Sequence, residues 1–121
     1  MARILIVDDS KTSRRILKNI LESNGHTVIG EAANGEESVD KYIELNPDII
    51  TMDITMPVMD GLEALKRIME VDKNAKVVMV TAAGQKTKMV DAVKHGAVEF
   101  LTKPFEAEQI IEIIDKVANQ E

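Results

Sequence analysis

The sequence has no cysteine and no tryptophan among its 121 residues. Without cysteine there is no disulfide framework, no thiolate metal site and no cysteine nucleophile, and a reducing compartment is expected. Aromatic residues make up only 2% of the chain, too few for a platform that stacks nucleic-acid bases. Positive charge is also in deficit: 15 Lys and Arg stand against 21 Asp and Glu, and the net charge of −6 disfavours binding to phosphate backbones. Long apolar runs are absent too. The opening "MARILIV" is of strand length with one basic residue, too short for a signal peptide or a membrane span. These absences lead us to expect a soluble, cytoplasmic, monomeric protein without nucleic-acid or membrane partners. A chain this short is of single-domain size, here 1–121, and can bury roughly two thirds of its unfolded surface without staples.

What the sequence does contain is an alternation repeated five times. Val- and Ile-rich runs predict strands at Arg3–Val7, Thr27–Glu31, Asp48–Met52, Lys76–Val80 and Val98–Thr102, mostly continuous rather than alternating, as in strands covered on both faces. Helix-period segments follow each run. The first carries Ile16, Leu17, Ile20 and Leu21 and stops at Gly25; the second carries Val39, Tyr42 and Ile43. The third aligns Leu62, Leu65, Ile68 and Met69, the fourth Met89, Val90 and Val93, and the fifth Ile110, Ile111, Ile113, Ile114 and Val117. Five βα units predict an α/β fold: a five-stranded parallel sheet of order 2-1-3-4-5, doubly wound in the flavodoxin-like manner, with helices on both faces. Ligands in such sheets bind beyond the carboxyl ends of the strands, where the order reverses between strands 1 and 3.

The strand ends converging there are unusual. Strand 1 ends in "ILIVDDS", placing Asp8 and Asp9; strand 3 ends in "TMDITMP", placing Asp53; strand 4 ends in "VMVTAAG", placing Thr81; strand 5 ends in "FLTKPF", placing Lys103. Each residue alone has a plainer role. An acid or Ser10 caps helix 1, Asp53 serves a turn ahead of Pro57, Thr81 is a loop hydroxyl and Lys103 a solvated surface amine. Together, three carboxylates, a hydroxyl and an amine at four converging strand ends are poorly explained that way. Two such carboxylates about 5 Å apart repel by roughly 3 kcal/mol at an effective dielectric near 20. A hard divalent cation with oxygen ligands, Mg²⁺ or alternatively Mn²⁺, offsets that cost. A cation, an ammonium and a hydroxyl around a carboxylate suit the charge that develops in phosphoryl transfer. Asp53, alone on the central strand, is the natural nucleophile, already ionised at neutral pH and able to form an acyl phosphate. His26 and His95, each next to a glycine at a helix end, read as surface or capping residues.

"ILIVDDS", "MDITMPVMDG", "VMVTAAG" and "FLTKPF", in this order and spacing, resemble the receiver domain of bacterial response regulators along the whole chain. The resemblance implies a switch in a two-component system in which Asp53 accepts a phosphoryl group from a partner histidine kinase. It implies Mg²⁺ on Asp9 and Asp53 directly, on Asp8 through water, and on the backbone carbonyl of Thr55. Thr81 and Lys103 match the hydroxyl and amine that contact the phosphoryl group, and Lys103–Pro104 matches a bond that is usually cis. Phe100 matches an aromatic that swings inward with Thr81; Thr55 and Ala83 occupy positions that tune phosphoryl lifetime. The expected output face is helix 4, strand 5 and helix 5, including Lys86, Lys88, Met89, Lys94 and Phe100. Phosphorylation biases an existing equilibrium only through its differential interaction with the two states. The domain is expected not to be an enzyme, though it assists its own phosphorylation and dephosphorylation.

"TAAGQ" and "GAVEFLTKPF" resemble stand-alone chemotaxis regulators, which implies a flagellar motor switch protein, and a phosphatase, as partners. A phosphorelay intermediate and an isolated receiver from a transcriptional regulator are the alternatives. A haloacid dehalogenase-type phosphatase needs a second aspartate two residues after the first, where this chain has Ser10 and Thr55. A flavodoxin-like cofactor binder needs a phosphate-cradling loop where this chain has two carboxylates.

Overall fold

The computed structural model describes residues 1–120. Five strands, β1 (Arg3–Val7), β2 (Thr27–Ala32), β3 (Ile49–Asp53), β4 (Val77–Ala82) and β5 (Glu99–Lys103), form one sheet. Every pairing is parallel and the order is β2-β1-β3-β4-β5, the predicted one. Between and after them run α1 (Lys11–Ser23), α2 (Gly35–Leu45), α3 (Gly61–Val71), α4 (Lys86–Lys94) and α5 (Ala107–Ala118). Strand boundaries differ from the sequence reading by one or two residues, chiefly because β3, β4 and β5 run on to include Asp53, Ala82 and Lys103.

The sheet divides two cores. Leu5 and Val7 of β1 join Ile50, Met52, Tyr42, Leu65 and Ile68 on the face covered by α2 and α3. Ile4 and Ile6 point the other way, to Leu17, Leu21, Ile110, Ile114 and Val117 of α1 and α5. Central strands are buried on both faces, as predicted, but β2 and β5 are only partly covered because they are the edges. Several residues on the predicted apolar stripes reach solvent: Ile16, Ile43, Val90 and Val93 are about half exposed. The stripes are wider than the contact each helix makes.

His26 is a correction. The residue is buried, not on the surface; its Nδ1 accepts the Ala2 amide at 3.1 Å and its Nε2 lies 2.9 Å from Asp115 Oδ1. A buried imidazole must satisfy both nitrogens, and here it does so by tying the start of β1 to α5. His95 sits at the C-cap of α4 with Nδ1 2.8 Å from the Asp91 carbonyl, in the capping role expected of it.

Candidate phosphoacceptor and metal site

The carboxyl ends of β1 and β3 are neighbours in the sheet, Val7 being paired with Met52, so Asp8 and Asp53 follow side by side. Asp8, Asp9 and Asp53 each present a carboxylate oxygen within 4.8 Å of the other two. Ser10 caps α1 by accepting the Ser13 amide, which leaves both aspartates free of that task. The donor set is all carboxylate oxygen, the chemistry a hard divalent cation takes, and the cluster can hold a metal ion. Asp8 is buried, Asp53 half-buried and Asp9 exposed, so the cluster opens to solvent on the Asp9 side.

Lys103 closes the other side. Strand β5 delivers it in register with Ala82, and its Nζ donates to Asp8 Oδ2 at 2.7 Å and lies 3.5 Å from Asp53 Oδ2. Burial pulls the Lys103 amine down, but donation to Asp8 and the charges of Asp53 and Asp8 outweigh it and hold the amine above its usual value. Burial pushes the Asp53 carboxyl up from its ordinary value; the Lys103 charge opposes that, Asp8 adds to it, and the Ile54 amide, donating to Oδ1 at 2.8 Å, opposes it again. Lys103–Pro104 is cis, as the resemblance implied.

Two backbone features aim these groups. The Ser10 amide donates to Asp8 Oδ1 at 2.8 Å, and Arg14 Nη1 donates to the Asp8 carbonyl at 2.6 Å while its Nε pairs with Glu31 at 2.9 Å. Asp8 is thus clamped by α1 and β2. Behind Asp53 the chain doubles back: the Gly61 amide donates to the Ile54 carbonyl at 2.6 Å, and a Cβ on Gly61 would lie 1.9 Å from the Asp53 carbonyl oxygen. Only glycine permits that approach.

Thr81 is buried at the end of β4, and Thr55 is exposed in the β3–α3 connection. One side chain spans them: Thr81 Oγ1 donates to Gln85 Oε1, and Gln85 Nε2 donates to Thr55 Oγ1. The sequence reading singled out neither Gln85 nor Arg14. No pattern in the sequence marks Gln85, which stands at the N-cap of α4 without a side-chain capping bond. Phe100 points outward, about half exposed, over a groove of about 500 Å³ between α4 and β5 that Lys86, Met89 and Lys94 also line. Lys88 is exposed on the same helix, whereas Met89, which lines the groove, is buried.

Known proteins resemble this chain closely. A family model described as the response regulator receiver domain matches residues 4–115. The chemotaxis protein CheY of Thermotoga maritima is 49% identical over 96% of this chain and 97% of its own length. CheY of Listeria monocytogenes is 51% identical over 98% and 99%. Among solved structures, the CheX–CheY–BeF₃–Mg²⁺ complex from Borrelia burgdorferi superposes with a TM-score of 0.92 at 42% identity, covering 98% of this chain and 90% of that one. Among the described residues no helix is long and apolar enough to cross a membrane.

Proposed function

The chain belongs to the response regulator receiver family, fits its stand-alone CheY type, and from that premise we propose that Asp53 is the phosphoacceptor of a chemotaxis signalling switch. The observation that carries the reading is the placement of one lysine against two carboxylates, Lys103 to Asp8 at 2.7 Å and to Asp53 at 3.5 Å, beside an open third carboxylate, Asp9.

In the reaction an Asp53 carboxylate oxygen attacks phosphorus. A P–O bond to Asp53 forms as the P–N bond of the kinase phosphohistidine breaks, the imidazole leaving with the electron pair of that bond. Ile54 fixes the orientation of the Asp53 carboxylate through Oδ1, which directs Oδ2 to the side where Lys103 stands. Lys103 is placed to exchange its contact with Asp53 for one with a phosphoryl oxygen, and Thr81 supplies a hydroxyl to another. Asp9, Asp53 and the Thr55 carbonyl, with Asp8 acting through water, would hold Mg²⁺, which would supply positive charge to offset that on the transferring group. Asp8 has one oxygen on the Ser10 amide and the other on Lys103, which supports an indirect part for it. The domain thereby assists its own phosphorylation and dephosphorylation, without turning over a separate substrate.

Phosphorylation then shifts Thr81 and Phe100 and alters the face of α4, β5 and α5, including Lys86, Lys88, Met89 and Lys94, on which a flagellar motor switch protein docks. The Borrelia burgdorferi relative was solved in complex with CheX, and a dedicated partner of that kind, alongside the kinase and a phosphatase, is part of the proposal. We place the protein in the cytoplasm as a monomer, with residues 1–121 acting as one receiver domain.

Incubation with Mg²⁺ and acetyl phosphate followed by intact mass measurement tests this. One phosphoryl group is expected on the native protein and none on Asp53→Asn or after chelation. A native protein that stays unmodified removes the central assignment.

A further inference from the structure

We propose that Gln85 is a latch that holds the switch in its resting state by occupying the Thr81 hydroxyl. The inference rests on the phosphoacceptor reading of Asp53 and adds to it a residue outside the five that carry the chemistry.

A threonine hydroxyl has a single O–H to donate. In this structure Thr81 gives it to Gln85 Oε1, with the Ala82 carbonyl a distant second at 3.4 Å. A phosphoryl oxygen on Asp53 needs that same proton, so the contact with Gln85 and the contact with the phosphoryl group exclude each other. The other end of the Gln85 amide donates to Thr55 Oγ1, which anchors the latch on the β3–α3 connection. Gln85 thus bridges the ends of β3 and β4 across the phosphorylation site.

The position of Gln85 gives the latch a mechanical output. It is the N-cap residue of α4, yet its side chain makes no capping bond to its own helix, and it is committed to the two threonines instead. The residue before it, Gly84, has φ +92, and no atom lies within 4 Å of where its Cβ would be. The first turn of α4 has no side-chain cap and Met89 as its buried anchor, so the contact of Gln85 with Thr81 is a direct tie between the start of the helix and the switch hydroxyl. When Thr81 turns to the phosphoryl group, Gln85 is released and the N-terminus of α4 is free to reorient about Gly84. That movement reshapes the groove that Gln85 shares with Lys86, Met89 and Phe100. By reciprocity, whatever the latch contributes to the resting state is subtracted from the affinity for a phosphoryl group.

Beryllofluoride with Mg²⁺, titrated by ¹⁹F NMR, provides the test. Gln85→Ala should bind it about three- to tenfold more tightly than the native protein, the range one hydrogen bond supports. In a Thr81→Ala background the same substitution should change nothing, because the shared proton is already gone. Without beryllofluoride, exchange of the Met89 amide, which donates to the Gln85 carbonyl at 3.0 Å, should be several-fold faster in Gln85→Ala. Unchanged or weaker binding by Gln85→Ala overturns the latch while leaving Asp53 in place, as does an equal gain in the Thr81→Ala background. A native protein that does not bind beryllofluoride at all overturns the Asp53 reading, and the latch with it.

Discussion

Lys103 Nζ lies closer to Asp8 than to Asp53, although the two lysine contacts converge from a strand 95 residues away in sequence from Asp8. The amine acts as a built-in counter-ion to the acidic cluster. Lys103→Met keeps most of the aliphatic stem and removes only the charge. Two effects of opposite sign are expected. Mg²⁺ should bind severalfold more tightly, since a competing cation is gone. Phosphoryl uptake from acetyl phosphate should slow by about a hundredfold, since a group aimed at the transferring oxygens is lost. Metal titration beside time-resolved intact mass separates the two; a parallel loss of both would assign Lys103 to folding rather than chemistry.

The raised Asp53 carboxyl predicts a pH-dependent stability cost. A carboxyl whose folded value lies above its ordinary 3.8 costs nothing while both states are protonated. The cost grows as pH rises through the folded value and persists at neutrality. In chelator at pH 7, Asp53→Asn should therefore melt above the native protein. The gain should shrink toward zero below about pH 4. Thermal melts across that range decide it, and an advantage that grows on acidification contradicts the sign.

Gly61 has no room for a methyl group against the Asp53 carbonyl. Gly61→Ala should lose about 2–4 kcal/mol of stability as the β3–α3 connection is pushed away. The folded fraction should take up a phosphoryl group about tenfold more slowly or worse, because the displaced backbone carries the nucleophile. Denaturant melts and intact mass at a temperature where the variant is folded read both.

Val58 holds a β-branched side chain at φ 68 and is largely exposed, in the same connection. With the residue 77% exposed, burial does little to offset that conformation. Val58→Asn should raise stability by about 1 kcal/mol, since asparagine tolerates the left-handed region. A lower melting temperature would mean that the valine is held there by a contact worth more than the strain.

The sheet order and the convergence of Asp8, Asp9, Asp53, Thr81 and Lys103 at the strand ends were legible because each depends on a pattern that stays local. Strand-length Val/Ile runs mark the strands, and a polar residue that ends such a run marks the edge where the strands converge. Asp8, Asp53 and Lys103 meet because β1, β3 and β5 end at one edge of the sheet, which follows from the parallel order. The residues that orient them left no such trace. Arg14 reaches back to the Asp8 carbonyl from a helix position that looks like any solvated arginine, and Gln85 resembles an ordinary loop glutamine until β3 and β4 bring two threonines within its reach. The burial of His26 escaped for the same reason: its partners Ala2 and Asp115 are 24 and 89 residues away. The half-exposed Ile16, Ile43, Val90 and Val93 show the converse, that periodicity gives the direction of a helix face but not its width.

The His26 bridge has a consequence for architecture. By joining Ala2 to Asp115, it secures the entry of β1 and the last turns of α5 at the floor of the sheet, and Lys76 reinforces that floor by donating to the Val117 carbonyl at 3.2 Å. The acidic cluster of Asp8, Asp9 and Asp53 lies at the roof, a strand length away. The tie therefore braces the sheet at the end opposite the acidic pocket, and leaves the pocket itself free of any structural duty.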